Sequence, residues 1–103
     1  MGIQVEVFVS RACPRCVKAA ELVRRVADEY GATLVHWRAV NVLADMDYAV
    51  SLGVLGTPSI AINGALVFTG QPTEKALRAA LRQVLSDDSQ SRIDDEALRR
   101  EDP

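Results

Sequence analysis

Ile3-Gln4-Val5-Glu6-Val7-Phe8-Val9-Ser10-Arg11-Ala12-Cys13-Pro14-Arg15-Cys16-Val17 reads as a strand, a turn and the opening of a helix. Its first residues alternate apolar and polar, then turn fully apolar and rich in β-branched side chains, which suits a buried strand. Ser10 to Cys13 is the turn. From Cys16 to Tyr30 the pattern becomes helical: Val17, Ala20, Val23 and Ala27 recur at helical spacing, with Lys18, Glu21, Arg24, Arg25 and Asp28 between them. Gly31 is the expected stop, since glycine accepts the positive φ that helix ends often need.

Working outward, Thr33 to Val42 reads as a second strand and Leu43 to Leu52 as a shorter helix, with Asn41 as cap and Gly53 as end. Thr57-Pro58-Ser59 precedes a third strand at Ile60-Ala61-Ile62. Asn63-Gly64 is the two-residue hairpin signal, because both positions tolerate positive φ. Ala65 to Phe68 returns as the fourth strand. After the turn Gly70-Gln71-Pro72-Thr73, a helix opening at Pro72 or Thr73 runs through Leu85, with Ala76, Leu77, Ala80, Leu81 and Val84 on one face. The order is β-α-β-α-β-β-α. A right-handed strand–helix–strand unit joined to an antiparallel hairpin gives one mixed four-stranded sheet with helices on its faces, an α/β fold.

The 103 residues suit one domain, and a hydrophobic content of 49% supplies one modest core. From Asp87 to Pro103, seven acidic against three basic residues give a net charge of -4, and no apolar periodicity is sustained. The expected organisation is a folded domain over residues 1–86 and a disordered acidic tail over 87–103. The net charge of -2 provides no basic footprint for nucleic acid. No apolar run approaches the roughly 20 residues that span a bilayer, and no secretory signal is read at the N-terminus. A cytoplasmic monomer is therefore expected.

The two cysteines are Cys13 and Cys16. A bridge between them closes almost no loop, so it would constrain the unfolded chain little. In a reducing compartment such a pair points to chemistry and away from scaffolding. At the start of a helix, unpaired backbone N–H groups and the helix dipole favour a thiolate, which lowers the expected pKa of Cys13. Pro14 fits the first turn, where its missing N–H is no loss. Arg15, and Arg11 from the preceding turn, place positive charge near the thiols. Cys16 follows about one helical turn later, within reach of Cys13 and less exposed.

Cys13-Pro14-Arg15-Cys16 after the first strand, with Thr57-Pro58 before the third, resembles the thioredoxin-like superfamily, and most of all its small thioredoxins and glutaredoxin-like members. The resemblance covers about residues 3 to 85. It implies a three-layer thioredoxin-like fold and a dithiol–disulfide oxidoreductase acting on protein disulfides. Cys13 would be the nucleophile and Cys16 the resolving thiol, with no bound cofactor or metal, and a reductase or low-molecular-weight thiol as electron donor. It also implies that Pro58 is cis and packs beside the disulfide, and that Thr57 offers backbone hydrogen bonds to the substrate. Three departures stand out. Ala12 replaces the tryptophan that typically precedes the first cysteine. Val7 and its neighbours lack the buried acid that thioredoxins use as proton acceptor, Glu6 being expected to face the other way. Gly70-Gln71-Pro72-Thr73 lacks the glutathione-binding pattern of glutaredoxins.

Two alternatives belong to other classes. One is a redox-sensing or metal-carrying protein without turnover, although a tetrahedral site would need ligands beyond the two thiols and only His36 and carboxylates are at hand. The other is an adaptor that binds through its acidic tail. His36, the sole histidine, has no expected catalytic role; Trp37 and Tyr48 read as packing residues or singly exposed aromatics, and Arg24 and Arg25 as a solvated helix face.

Overall fold

The computed structural model describes residues 2–86; the acidic segment 87–103 lies outside the described residues. The elements are β1 (Ile3–Val9), α1 (Pro14–Tyr30), β2 (Val35–Asn41), α2 (Met46–Leu52), β3 (Ser59–Ile62), β4 (Ala65–Phe68) and a final helix, α3, over 74–86. The sheet order is β2-β1-β3-β4. β2 is parallel to β1, whereas β3 is antiparallel to both β1 and β4. This is the expected order and the expected mixed sheet.

The pleat divides β1 between two cores. Ile3, Val5 and Val7 point toward α1 and α3 and pack with Ala19, Val23, Val26, Leu77 and Leu81. Phe8 points to the other face and packs with Val40, Ala49, Val54 and Ala61. Three layers result, because α1 and α3 cover one face of the sheet and α2 the other.

Local chemistry explains the turns. Asn63 and Gly64 have φ of 51° and 79°, the left-handed pair that a tight hairpin demands. Thr73 Oγ1 accepts from the Ala76 N–H at 3.1 Å and so caps α3. Gly53 closes α2 in the left-handed conformation. The α2 boundary differs from expectation: Asn41 Oδ1 accepts from the N–H groups of Leu43 and Ala44 (2.9 and 3.4 Å), so it caps a turn ahead of the helix. An Asx turn competes with helix at that point, and α2 begins only at Met46.

The inner face of α1 also departs from the reading of Val17, Ala20, Val23 and Ala27. Its buried residues are Cys16, Ala19, Leu22, Val23, Val26 and Ala27, whereas Val17 is 60% exposed. Apolar side chains occupy more than half of this helix, so spacing alone admits two faces. Arg25, read as solvated, reaches Glu74 of α3 at 3.3 Å, and Arg78 of α3 pairs with Glu29 of α1.

Glu6 faces away from α1 as expected, yet it is buried at 6% exposure. Arg38 lies directly opposite it on β2 and donates Nε and Nη2 to Glu6 Oε2 at 2.9 and 2.6 Å. Tyr48 of α2 donates its hydroxyl to Glu6 Oε1 and packs its ring against Phe8. The bond to Glu6, then burial, then the charge of that carboxylate, raise the Tyr48 pKa above the ordinary 10.0. A raised folded-state pKa means that the stability this phenol contributes is complete below pH 10 and is lost as pH climbs through the higher folded value. Denaturation midpoints recorded from neutral pH to beyond pH 10 should therefore fall at the alkaline end, and Tyr48→Phe should flatten that fall. Parallel declines in both proteins would contradict the assignment.

Candidate active site

α1 starts at Pro14, earlier than the expected Cys16, and Cys13 is its N-cap. Cys13 has extended backbone angles (φ -120°, ψ 93°), and its Sγ accepts from the Cys16 N–H at 3.2 Å. The Cys13 carbonyl accepts from the Cys16 N–H at 3.1 Å and from the Val17 N–H at 3.4 Å. The sulfur thus accepts from a backbone N–H in the first turn of the helix, the setting that favours a thiolate.

Cys13 and Cys16 form a disulfide with Cα atoms 5.2 Å apart. Cys13 is half-buried, whereas Cys16 is only 3% exposed. Of the two sulfurs, that of Cys13 is the one open to an incoming partner. Ala12 supplies the sharp approach to the helix with φ of 53°, a left-handed conformation that costs an alanine roughly 1 kcal/mol. Pro14 and Arg15 are exposed at the helix tip, and Arg11 is exposed in the turn before it.

The segment before β3 closes the site from the other side. The Thr57–Pro58 peptide is cis. Pro58 is buried and Thr57 half-buried. Thr57 Oγ1 lies 4.0 Å from Cys13 Sγ and 2.8 Å from Ser10 Oγ. Ser10, which the sequence reading passed over as a turn residue, therefore anchors Thr57 beside the disulfide. The structure brings together Cys13, Cys16, Pro14, Arg15, Thr57 and Pro58 at the end of the sheet where β1 and β2 finish.

Other residues fall elsewhere. His36 is exposed on β2, on the opposite face from Trp37. Among the described residues, no group of three or more His, Cys, Asp or Glu side chains is placed to hold a metal ion, and no helix is long and apolar enough to cross a membrane. Trp37, read as a packing residue or a singly exposed aromatic, lines a groove of about 760 Å³ shared with Cys13, Cys16, Val17 and Ala20. Val7 is fully buried beneath the site, so no acid on β1 faces the disulfide from that position.

Comparison with known proteins agrees with this geometry. Residues 3–82 match the family described as thioredoxin domain. A thioredoxin of Methanocaldococcus jannaschii is 35% identical over 83 residues, covering 81% of this chain and 96% of that relative. A probable thioredoxin of Methanothermobacter thermautotrophicus is 33% identical over 81 residues, covering 79% and 94%. Among solved structures, a protein disulfide oxidoreductase from Aeropyrum pernix aligns with a TM-score of 0.68 at 28% identity. That alignment covers 78% of this chain and 36% of the other, so this chain spans about a third of that protein's length. A structure described as a malarial protein shares the fold, with a TM-score of 0.67 at 15% identity over 81% of this chain and 97% of that one. The strand–turn–helix that presents Cys13, the disulfide to Cys16 and a family match across nearly the whole described domain lead to one assignment: the chain belongs to the thioredoxin family.

Proposed function

We infer that this thiol–disulfide oxidoreductase reduces protein disulfides, with Cys13 as nucleophile and Cys16 as resolving thiol. The observation that carries the reading is the asymmetry of the pair: Cys13 caps the helix and is half-buried, while Cys16 is 3% exposed one turn below.

In the reduced protein, the Cys13 thiolate attacks one sulfur of the partner's disulfide. The partner's S–S bond breaks, one of its sulfurs leaves as a thiolate, and a mixed disulfide joins Cys13 to the other. Cys16, once deprotonated, attacks Cys13 Sγ; the mixed disulfide breaks and the second partner thiol is released. Two electrons pass to the partner, and the chain is left with the Cys13–Cys16 disulfide seen in the structure. Thr57 and Pro58 border Cys13 on the side opposite the helix and are the residues against which the partner's backbone would align. Arg15 and Pro14 tune the thiolate.

The cysteines carry the electrons, so the step needs no bound cofactor. A reductase or a low-molecular-weight thiol returns the disulfide to the dithiol. With every cysteine committed to the redox pair, none staples the domain, which suits a monomer at work in a reducing cytoplasm.

The test is the reduction potential of the Cys13–Cys16 couple, measured by equilibration against a dithiol buffer alongside turnover of a protein disulfide such as that of insulin. A value near or below about -230 mV with catalytic turnover is expected. A strongly oxidising potential, or one thiol equivalent consumed without turnover, would replace the reductase with an oxidant or a sensor.

A further inference from the structure

A groove of about 760 Å³ lies beside the disulfide. Its walls are Val9, Ala12, Pro14, Val17, Ala20, Trp37 and Ala39, together with both cysteines, and Glu21 and Arg24 stand at its rim. It runs between α1 and β2, and Glu21 separates it from a neighbouring surface formed by Lys18, Gln71 and Pro72. Val17, displaced from the core, is one of its walls and is 60% exposed.

β2 is an edge strand of the sheet formed by the described residues. In a parallel ladder, residues that pair with the neighbouring strand alternate with residues whose N–H and C=O point away from it. The Val42 N–H donates to the Val9 carbonyl, and the Ile3 N–H donates to the Leu34 carbonyl. The even-numbered residues of this segment thus face β1, which leaves the backbone groups of Trp37 and Ala39 on the open edge. The side chains of those same two residues line the groove. Among the described residues, an unpaired strand edge, an apolar trough beneath it and the reacting sulfur at one end are therefore contiguous.

We propose that this edge and groove bind the disulfide-bearing partner as an added strand: an extended polypeptide segment, running on from the partner's cysteine away from the residues that meet Thr57 and Pro58, that pairs with the backbone of Trp37 and Ala39 and lays apolar side chains at alternate positions into the groove. The inference rests on the disulfide-reductase reading and extends it to substrate class. A chain of regularly spaced N–H and C=O groups is what an edge strand can pair with. The period-2 alternation of that chain places every second side chain over the groove. Continuity with Cys13 selects the substrate as the occupant, because the exchange reaction already brings a polypeptide to that sulfur.

The experiment uses the full chain and three peptides whose cysteine is joined by a disulfide to a chromogenic thiol. One carries leucines at alternate positions beside its cysteine. The second has the same sequence with alternate backbone amides N-methylated. The third has serines in place of the leucines. Rates are normalised to those for a small chromogenic disulfide lacking any peptide. The leucine peptide should exceed both others by about tenfold or more in kcat/KM, with the difference in KM, as expected when one good edge pairing or an apolar contact is lost. The leucine peptide should also shift the emission of Trp37, the only tryptophan in the chain, whereas the N-methylated one should not. In Ala39→Glu, which puts a charge in the groove, the ratio of leucine-peptide to small-disulfide rates should collapse. Equal rates for the three peptides would overturn the proposal and leave the oxidoreductase intact. So would a solution dimer held through the β2 edge. Failure to reduce even the small disulfide would overturn the oxidoreductase reading itself, and this inference with it.

Discussion

Cys16→Ser should accumulate a covalent adduct with a disulfide substrate, and Cys13→Ser should form none. The two cysteines are chemically alike, so the difference has to come from where the fold puts them. Cys13 stands at the N-cap with its sulfur accepting from a helix N–H and partly open to solvent, while Cys16 is enclosed by the first turn and the groove wall. A partner disulfide can reach Cys13 Sγ; it reaches Cys16 Sγ only through Cys13. With Cys16 removed, the first exchange proceeds and the second has no nucleophile, so the mixed disulfide persists until an external thiol cleaves it. With Cys13 removed, the exposed attacking thiolate is gone and turnover should fall to the uncatalysed background. Mass spectrometry of each variant after incubation with a protein disulfide reads the result directly: substrate mass added to Cys16→Ser and none added to Cys13→Ser. An adduct on Cys13→Ser of equal yield would erase the distinction between the two cysteines, and a larger one would reverse their roles.

The parts of this molecule that rest on neighbouring residues were legible in the sequence. Asn63-Gly64 announces its hairpin because two adjacent positive-φ positions need residues that tolerate them. The buried run Val5 to Val9 followed by Cys13-Pro14-Arg15-Cys16 announces strand, turn and helix, so the redox pair was found together with the element that activates it. The cis bond at Thr57–Pro58 came from family resemblance, since an isolated X-Pro pair carries little information about its isomer.

What escaped the sequence depends on register and on contacts between distant elements. Val17 and Val23 look equivalent by spacing, yet only Val23 meets the sheet, and the outward turn of Val17 becomes visible only once the helix is laid on β1. The Ser10–Thr57 bond joins residues that share no local pattern. The groove joins two stretches of chain, 9–24 and 37–39, which meet only when β2 pairs with β1. Glu6 was read correctly as facing away from the thiols. Its burial was not legible, because its partners Arg38 and Tyr48 arrive only when β2 pairs in register with β1 and α2 packs on that face.

That buried carboxylate gives the largest stability effect expected outside the hydrophobic cores. Glu6→Gln keeps the side chain's size and removes its charge, breaking the ion pair with Arg38, turning the bond from Tyr48 into a neutral one and leaving an amide N–H₂ to satisfy. The expected loss is about 2 kcal/mol, roughly 10 °C in Tm for a domain of this size. Arg38→Met should be at least as damaging although Arg38 is the more exposed partner, with a side chain 60% accessible against 8% for Glu6. When Glu6 is neutralised, the guanidinium can turn to water; when Arg38 is removed, the carboxylate stays where the sheet holds it, with Tyr48 as its remaining donor. Combining Glu6→Leu with Arg38→Met should recover much of either loss, because an apolar pair of similar bulk leaves no charge to desolvate beside Phe8 and Val40. The cluster lies on the α2 face, away from Cys13 and Cys16, so reduction rates measured well below each variant's melting temperature should stay at the wild-type level. Thermal melts and turnover assays on the three proteins test both halves of this expectation. A double variant less stable than both single ones would mean that the Glu6 charge is itself required for the fold, and a loss of turnover at full folding would tie the α2 face to the redox chemistry.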